Sequence, residues 1–115
     1  MDRKRANPGL YLEHFQLSEQ AVNGAAKVTV SGEVDLAAAL PLQELLIGTM
    51  NGPRSTTEVD LGNVSFMDAS GLTALIRADA KARDVGGRLH LSHVPERVFR
   101  LIKIFDLDHR FSILT

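Results

Sequence analysis

A single α/β domain with a mixed sheet is the fold class this chain of 115 residues predicts. Three observations carry the prediction. Segments with apolar residues at every second position alternate with segments where apolar residues recur at helical spacing. Their connections are short, so successive strands should lie parallel and be joined by right-handed crossovers. Two strand-like segments also precede the first helical one, which adds an antiparallel edge. The expected order is β-β-α-β-α-β-α-β, with parallel central strands packed by helices.

A basic stretch ending in Asn7, Pro8 and Gly9 makes residues 1–9 a flexible tail and leaves 10–115 as the domain. LYLEHFQLSEQ, residues 10–20, reads as the first strand. The turn signal VNG at 22–24 leads into KVTVSGEV, a second strand with Val28 and Val30 on one face. Leu42, Leu45, Leu46 and Met50 recur at helical spacing, which places a helix over about 39–50 with Pro41 in its first turn. NGPRST ends it. TEVDLGNV is then a strand with Val59 and Leu61 inward.

The helix after SFMDASGL (65–72) carries Leu72, Leu75 and Ile76 and ends at Gly86 and Gly87, a pair suited to a left-handed cap. RLHLSHV is the next strand. PERVFRLIKIF forms a third helix with Pro95 in its first turn and Val98, Leu101, Ile102 and Phe105 on one face, and RFSIL is a short last strand. Ligands and partners of such sheets meet the loops at the carboxyl ends of the strands, which is where GEVDL (32–36) and SFMDASGL fall.

Thirteen basic residues oppose fourteen acidic ones, so bulk charge favours neither nucleic acid nor an anionic membrane. Cysteine is absent, which removes disulfides, thiolate nucleophiles and thiolate metal ligands and fits a reducing compartment. No apolar run reaches the ~18 residues of a spanning helix, and the basic start has no apolar stretch behind it. A cytoplasmic protein without a membrane or direct nucleic-acid partner is expected.

Enzyme chemistry finds little support. Ser70 lies at a strand-to-helix turn, but Asp68 and Leu72 occupy the two glycine positions of the G-x-S-x-G nucleophile elbow, and no histidine is local to it. Both common phosphate-cradle motifs are absent. His90 and His93, three apart on a strand, should point to opposite faces, while His14 and His109 stand alone. Asp35, Asp60 and Asp68, each on or just after a strand, could form a small acidic rim for a cation, but turn and cap chemistry is the favoured explanation, since aspartate bonds to nearby backbone N–H groups. No metal, cofactor or catalytic residue is expected. Ser70 has two readings of its own, a helix cap or an exposed chemical handle.

GEVDLAAALPLQELL (32–46), VDLGNVSFMDASGL (59–72) and GGRLHL (86–91) together resemble the STAS domain of bacterial anti-sigma factor antagonists, over about residues 20–115. The resemblance implies a phosphorylation switch. The unphosphorylated protein would bind an anti-sigma factor that is also a serine kinase and so release the sigma factor. Phosphorylation of Ser70 would dissolve the complex and a serine phosphatase would reset it. Carried over by position, Asp35, Asp68, Ala69, Ser70, Gly71 and Thr73 would meet the partner. A transporter-associated or scaffold role is the alternative. The chain departs from the family in IFDL, where Asp106 replaces a glycine; aspartate tolerates the left-handed conformation such a cap requires.

Overall fold

The computed structural model describes residues 9–12 and 14–114, with side chains from residue 14 onward. The expected tail lies outside the described residues except for Gly9, which opens the first strand. In chain order the described residues form β1 (Gly9–Leu12), β2 (Phe15–Val22), β3 (Ala25–Val34), α1 (Leu36–Thr49), β4 (Thr56–Met67), α2 (Ala69–Val85), β5 (Arg88–Ser92), α3 (Glu96–Ile104) and β6 (Ser112–Leu114). The sheet runs in the same order from β1 to β6. Its first two pairings are antiparallel and the other three parallel.

The single strand expected over 10–20 is two strands, with Leu12 paired to Phe15 across a reversal. The change of phase shows why. Apolar residues fall on even positions at Leu10 and Leu12 and on odd positions at Phe15 and Leu17, so one uninterrupted strand would have put the two sets on opposite faces. The second hairpin is as expected: Asn23 and Gly24 take φ of 53° and 82°, and Val22 pairs with Ala25. Positive φ at both loop residues is what a tight type I′ turn needs.

Asp35 caps α1 by accepting from the N–H groups of Ala37 and Ala38 at 3.1 and 3.3 Å. The helix therefore starts at Leu36, three residues before the expected start, and Pro41 sits in its second turn rather than its first. Pro41 has no N–H to give the carbonyl of Ala37, but Ala37 is exposed and water can serve that oxygen. At the far end of α2, Gly86 adopts φ 76° and Gly87 donates to the carbonyl of Ala82 at 2.8 Å, the left-handed cap expected there.

Pro95 is the residue before α3 and not part of its first turn. Asp106 holds φ 59° and Leu107 donates to the carbonyl of Ile102 at 2.9 Å, so the cap survives the loss of glycine. Phe105, expected on the buried face, is the C-cap and stands 51% exposed, because the chain leaves the helix there.

Val28, Val30, Val59, Leu61, Leu89 and Leu91 form the sheet side of one core, closed by Leu42 and Leu46 of α1, Leu72 and Leu75 of α2, and Val98 and Ile102 of α3. Burying each large side chain contributes about 1.5–3 kcal/mol. Asp79 of α2 is 4% exposed, and its Oδ2 accepts from Arg83 at 2.9 Å and Arg110 at 2.8 Å. That pairing ties α2 to the segment before β6. β4 is longer than β5, and its last residues pair with β3 alone. This overhang carries the turn into α2 beyond the rest of the sheet.

Candidate functional site

Val34 and Met67 are register partners at the carboxyl ends of β3 and β4. The next residues, Asp35 and Asp68, cap α1 and α2, and Asp68 donates its own N–H to the carbonyl of Val34 at 3.3 Å. Two helix starts are thus held side by side. Oδ1 of Asp68 accepts from the N–H of Ser70 at 2.9 Å and of Gly71 at 3.3 Å. Asp68, not Ser70, is therefore the cap of α2. An aspartate after an extended strand outcompetes a serine two residues on, because only the residue at the cap position has the non-helical backbone that lets its side chain fold back.

Ser70 is the second residue of α2 and is half-buried. Among the described residues its hydroxyl has no hydrogen-bond partner, and it lines a concavity of about 310 Å³ between the two helices with Leu36, Leu40, Gln43, Thr73 and Arg77. Ala69 and Thr73 are exposed, and the Thr73 hydroxyl is tied to the carbonyl of Ala69 at 2.9 Å. Gly71 is buried. A Cβ there would lie 2.7 Å from Val34 Cγ1 and 2.8 Å from Met67 Cγ, so this glycine lets α2 settle onto the strand ends.

Sequence reasoning missed the apolar half of the groove. Leu36 and Leu40 are 77% and 57% exposed, four residues apart on α1. The helical pattern through Leu42 and Leu46 places Leu36 and Leu40 off the buried face, and an earlier helix start would have made that visible.

The expected acidic rim divides. Asp35 and Asp68 stay together at the β3–β4 ends, but Asp60 pairs in register with Thr29 and Ser92, well back along β4. Its carboxylate meets Lys27 Nζ at 3.8 Å and His93 Nδ1 at 3.3 Å. His90 instead contacts the Ser112 hydroxyl at 2.7 Å. The two histidines have different partners but not opposite faces: His90 is the register partner of Glu58, and His93, just past the end of β5 with φ 52°, turns to the same side, so the alternation expected of one strand does not reach it.

The family described as "Mlab, STAS domain" matches residues 17–115. The chain belongs to the STAS domain family. This STAS domain is 31% identical over 87 residues to the anti-sigma-B factor antagonist of Bacillus subtilis, spanning 76% of this chain and 79% of that one. It is 32% identical over 80 residues to the intermembrane phospholipid transport system binding protein MlaB of Escherichia coli, spanning 70% and 79%. Its fold matches an anti-sigma factor antagonist from Mycobacterium paratuberculosis with a TM-score of 0.74 at 24% identity, over 86% of this chain and 84% of the other. Unphosphorylated SpoIIAA matches with a TM-score of 0.65 at 21% identity, over 88% and 87%. Among the described residues of this STAS domain, no helix is long and apolar enough to cross a membrane.

Proposed function

We propose that this STAS domain is an anti-sigma factor antagonist switched by phosphorylation of Ser70. The single observation behind the proposal is the Ser70 hydroxyl, which has no hydrogen-bond partner among the described residues and opens onto a groove rimmed by exposed Leu36 and Leu40. Unphosphorylated, that surface docks an anti-sigma factor that is also a serine kinase, and the sigma factor goes free. The domain acts as substrate and binding module, not as enzyme. A serine phosphatase returns it to the docking form.

Phosphate on Ser70 brings about −1.5 to −2 charge to the second position of α2, where the positive end of the helix dipole favours an anion. The fold therefore persists. In a docked interface the same dianion, beside Asp68 and against the apolar rim, must lose its water, and an unpaired buried charge costs several kcal/mol. Binding is lost while folding is retained, which is the requirement for a switch. Asp35 and Asp68 act in this scheme by fixing the two helix starts, and Ala69 and Thr73 as exposed neighbours that a partner covers.

Incubation with the cognate kinase and ATP should add one phosphate, absent in Ser70→Ala. A mass shift that persists in Ser70→Ala, or peptide mapping to Ser65 or Thr73, would overturn the assignment. A second reading, a regulatory component of a lipid-transport or other transporter assembly, is supported by the MlaB relative and by the family description. It predicts retention of the domain by membranes of the native cell with no dependence on Ser70 phosphorylation. The antagonist instead elutes with a complex that nucleotide and phosphate control.

A further inference from the structure

We propose that Glu58, Asp60 and His93 form a binding site for a divalent transition-metal ion of the zinc class, on a part of the sheet separate from the Ser70 groove. Glu58 and Asp60 alternate with buried Val59 and Leu61 along β4, so both carboxylates leave the face of the sheet opposite the core. His93 comes directly after the last residue of β5, the strand paired with this part of β4. One donor atom from each of the three residues lies within 4.8 Å of the others.

The tightest pair already has a metal-like spacing. His93 Nδ1 and Asp60 Oδ1 are 3.3 Å apart, and two donors each ~2.0–2.2 Å from a tetrahedral zinc ion stand about 3.3–3.6 Å from one another. Glu58 supplies the third donor, within 4.8 Å of the other two. Both carboxylates are also oriented from behind, Glu58 Oε2 by the buried Ser92 hydroxyl at 2.6 Å and Asp60 Oδ1 by the Gly62 N–H at 2.9 Å. Such outer contacts are what hold metal ligands in place.

Two further observations support a ligand here. A Cβ at position 62 would come within 3.1 Å of Asp60 Oδ1 and 3.2 Å of His93 Cβ, so glycine is what leaves the donors room to converge. Beside them lies a concavity of about 440 Å³ lined by Glu58, Ser92, His93, Val94, Phe99 and Leu114, with space for a water or an anion to complete the coordination. Two carboxylates and a neutral imidazole balance a doubly charged ion. The imidazole selects the class, because magnesium and calcium prefer all-oxygen sites. Lys27, 3.8 Å from Asp60 Oδ2, is the competing cation and must swing away when the metal enters.

Calorimetric titration of the full chain with Zn²⁺, and visible absorption with Co²⁺, test the site. One ion per chain is expected. His93→Asn, which tolerates the left-handed backbone at φ 52°, and Glu58→Gln, which keeps an acceptor for Ser92, should each weaken binding by at least ~10-fold. Lys27→Met should tighten it, because the cation that competes for Asp60 is gone. Circular dichroism of each variant checks folding, and if His93→Asn fails to fold, Glu58→Gln and Lys27→Met carry the test. Absence of Zn²⁺ binding, or affinity unchanged in the substituted chains, overturns the proposal.

Discussion

The starts of α1 and α2 use one capping device for two different surfaces. Each comes after a strand end, each is capped by an aspartate whose Oδ1 accepts from two backbone N–H groups, and the two caps sit beside register partners Val34 and Met67. The residues after each cap differ. Asp35 precedes Leu-Ala-Ala, so α1 presents an exposed leucine and buries Ala38 two residues later. Asp68 precedes Ala-Ser-Gly, so α2 presents a serine hydroxyl and buries Gly71 at the equivalent place. The cap sets where a helix begins, and the next three residues decide what that beginning offers a partner.

The largest break in this comparison is at Gly71. Gly71→Val forces branched carbon into Val34 and Met67, and overpacking of that kind should cost about 3 kcal/mol, read as a lowered urea midpoint. Ala38→Gly, the reciprocal change in α1, should cost only about 1 kcal/mol, since it removes a methyl and adds chain freedom. Equal losses at the two sites would mean that the helices do not differ in how closely they approach the sheet.

Next in size is the apolar rim. Leu40→Glu changes a side chain 57% exposed, so stability should hold within about 0.5 kcal/mol. Affinity for the proposed anti-sigma factor should fall by about 2 kcal/mol, roughly 30-fold, as for an interface anchor. If calorimetry shows full affinity, the partner does not use α1, and the groove is not the docking surface.

Removal of either cap should cost about 1 kcal/mol. Asp68→Ala should lose at least as much as Asp35→Ala, because its first bond is shorter, 2.9 Å against 3.1 Å, and partly buried where the other is exposed. Thermal melts compare them directly. A reversed order would show that the α2 start is held by its packing and not by its cap.

Ser70→Ala should have the smallest effect on folding, below about 0.5 kcal/mol in a denaturant titration, because the hydroxyl caps nothing. Its effect on the switch should be large and opposite to that of Ser70→Asp. The alanine variant keeps the complex with the anti-sigma factor in the presence of kinase and ATP, and the aspartate variant weakens it without them. Equal affinity of both variants and the phosphorylated chain would remove Ser70 from the interface and favour the transporter reading.

Alternation, helical spacing and local turn signals determined the class, the three helices, the Asn23–Gly24 turn and the Gly86 cap, because each depends on residues a few positions apart, whereas the left-handed turn at Asp106 followed only from the resemblance to the family. The same local information carried SFMDASGL and hence Ser70. It failed at the β1–β2 reversal and at the start of α1, where a shift of phase and a capping aspartate had to be weighed against a continuous apolar run and a proline. Tertiary structure alone decided which acids meet. Asp35 and Asp68 are thirty-three positions apart in the chain and adjacent in space, while Asp60 is drawn to Lys27 and His93 by strand register. Register is a property of paired strands, and no single segment contains it. For the same reason the groove beside Ser70 and the Glu58–Asp60–His93 cluster exist only once β3, β4 and β5 lie side by side.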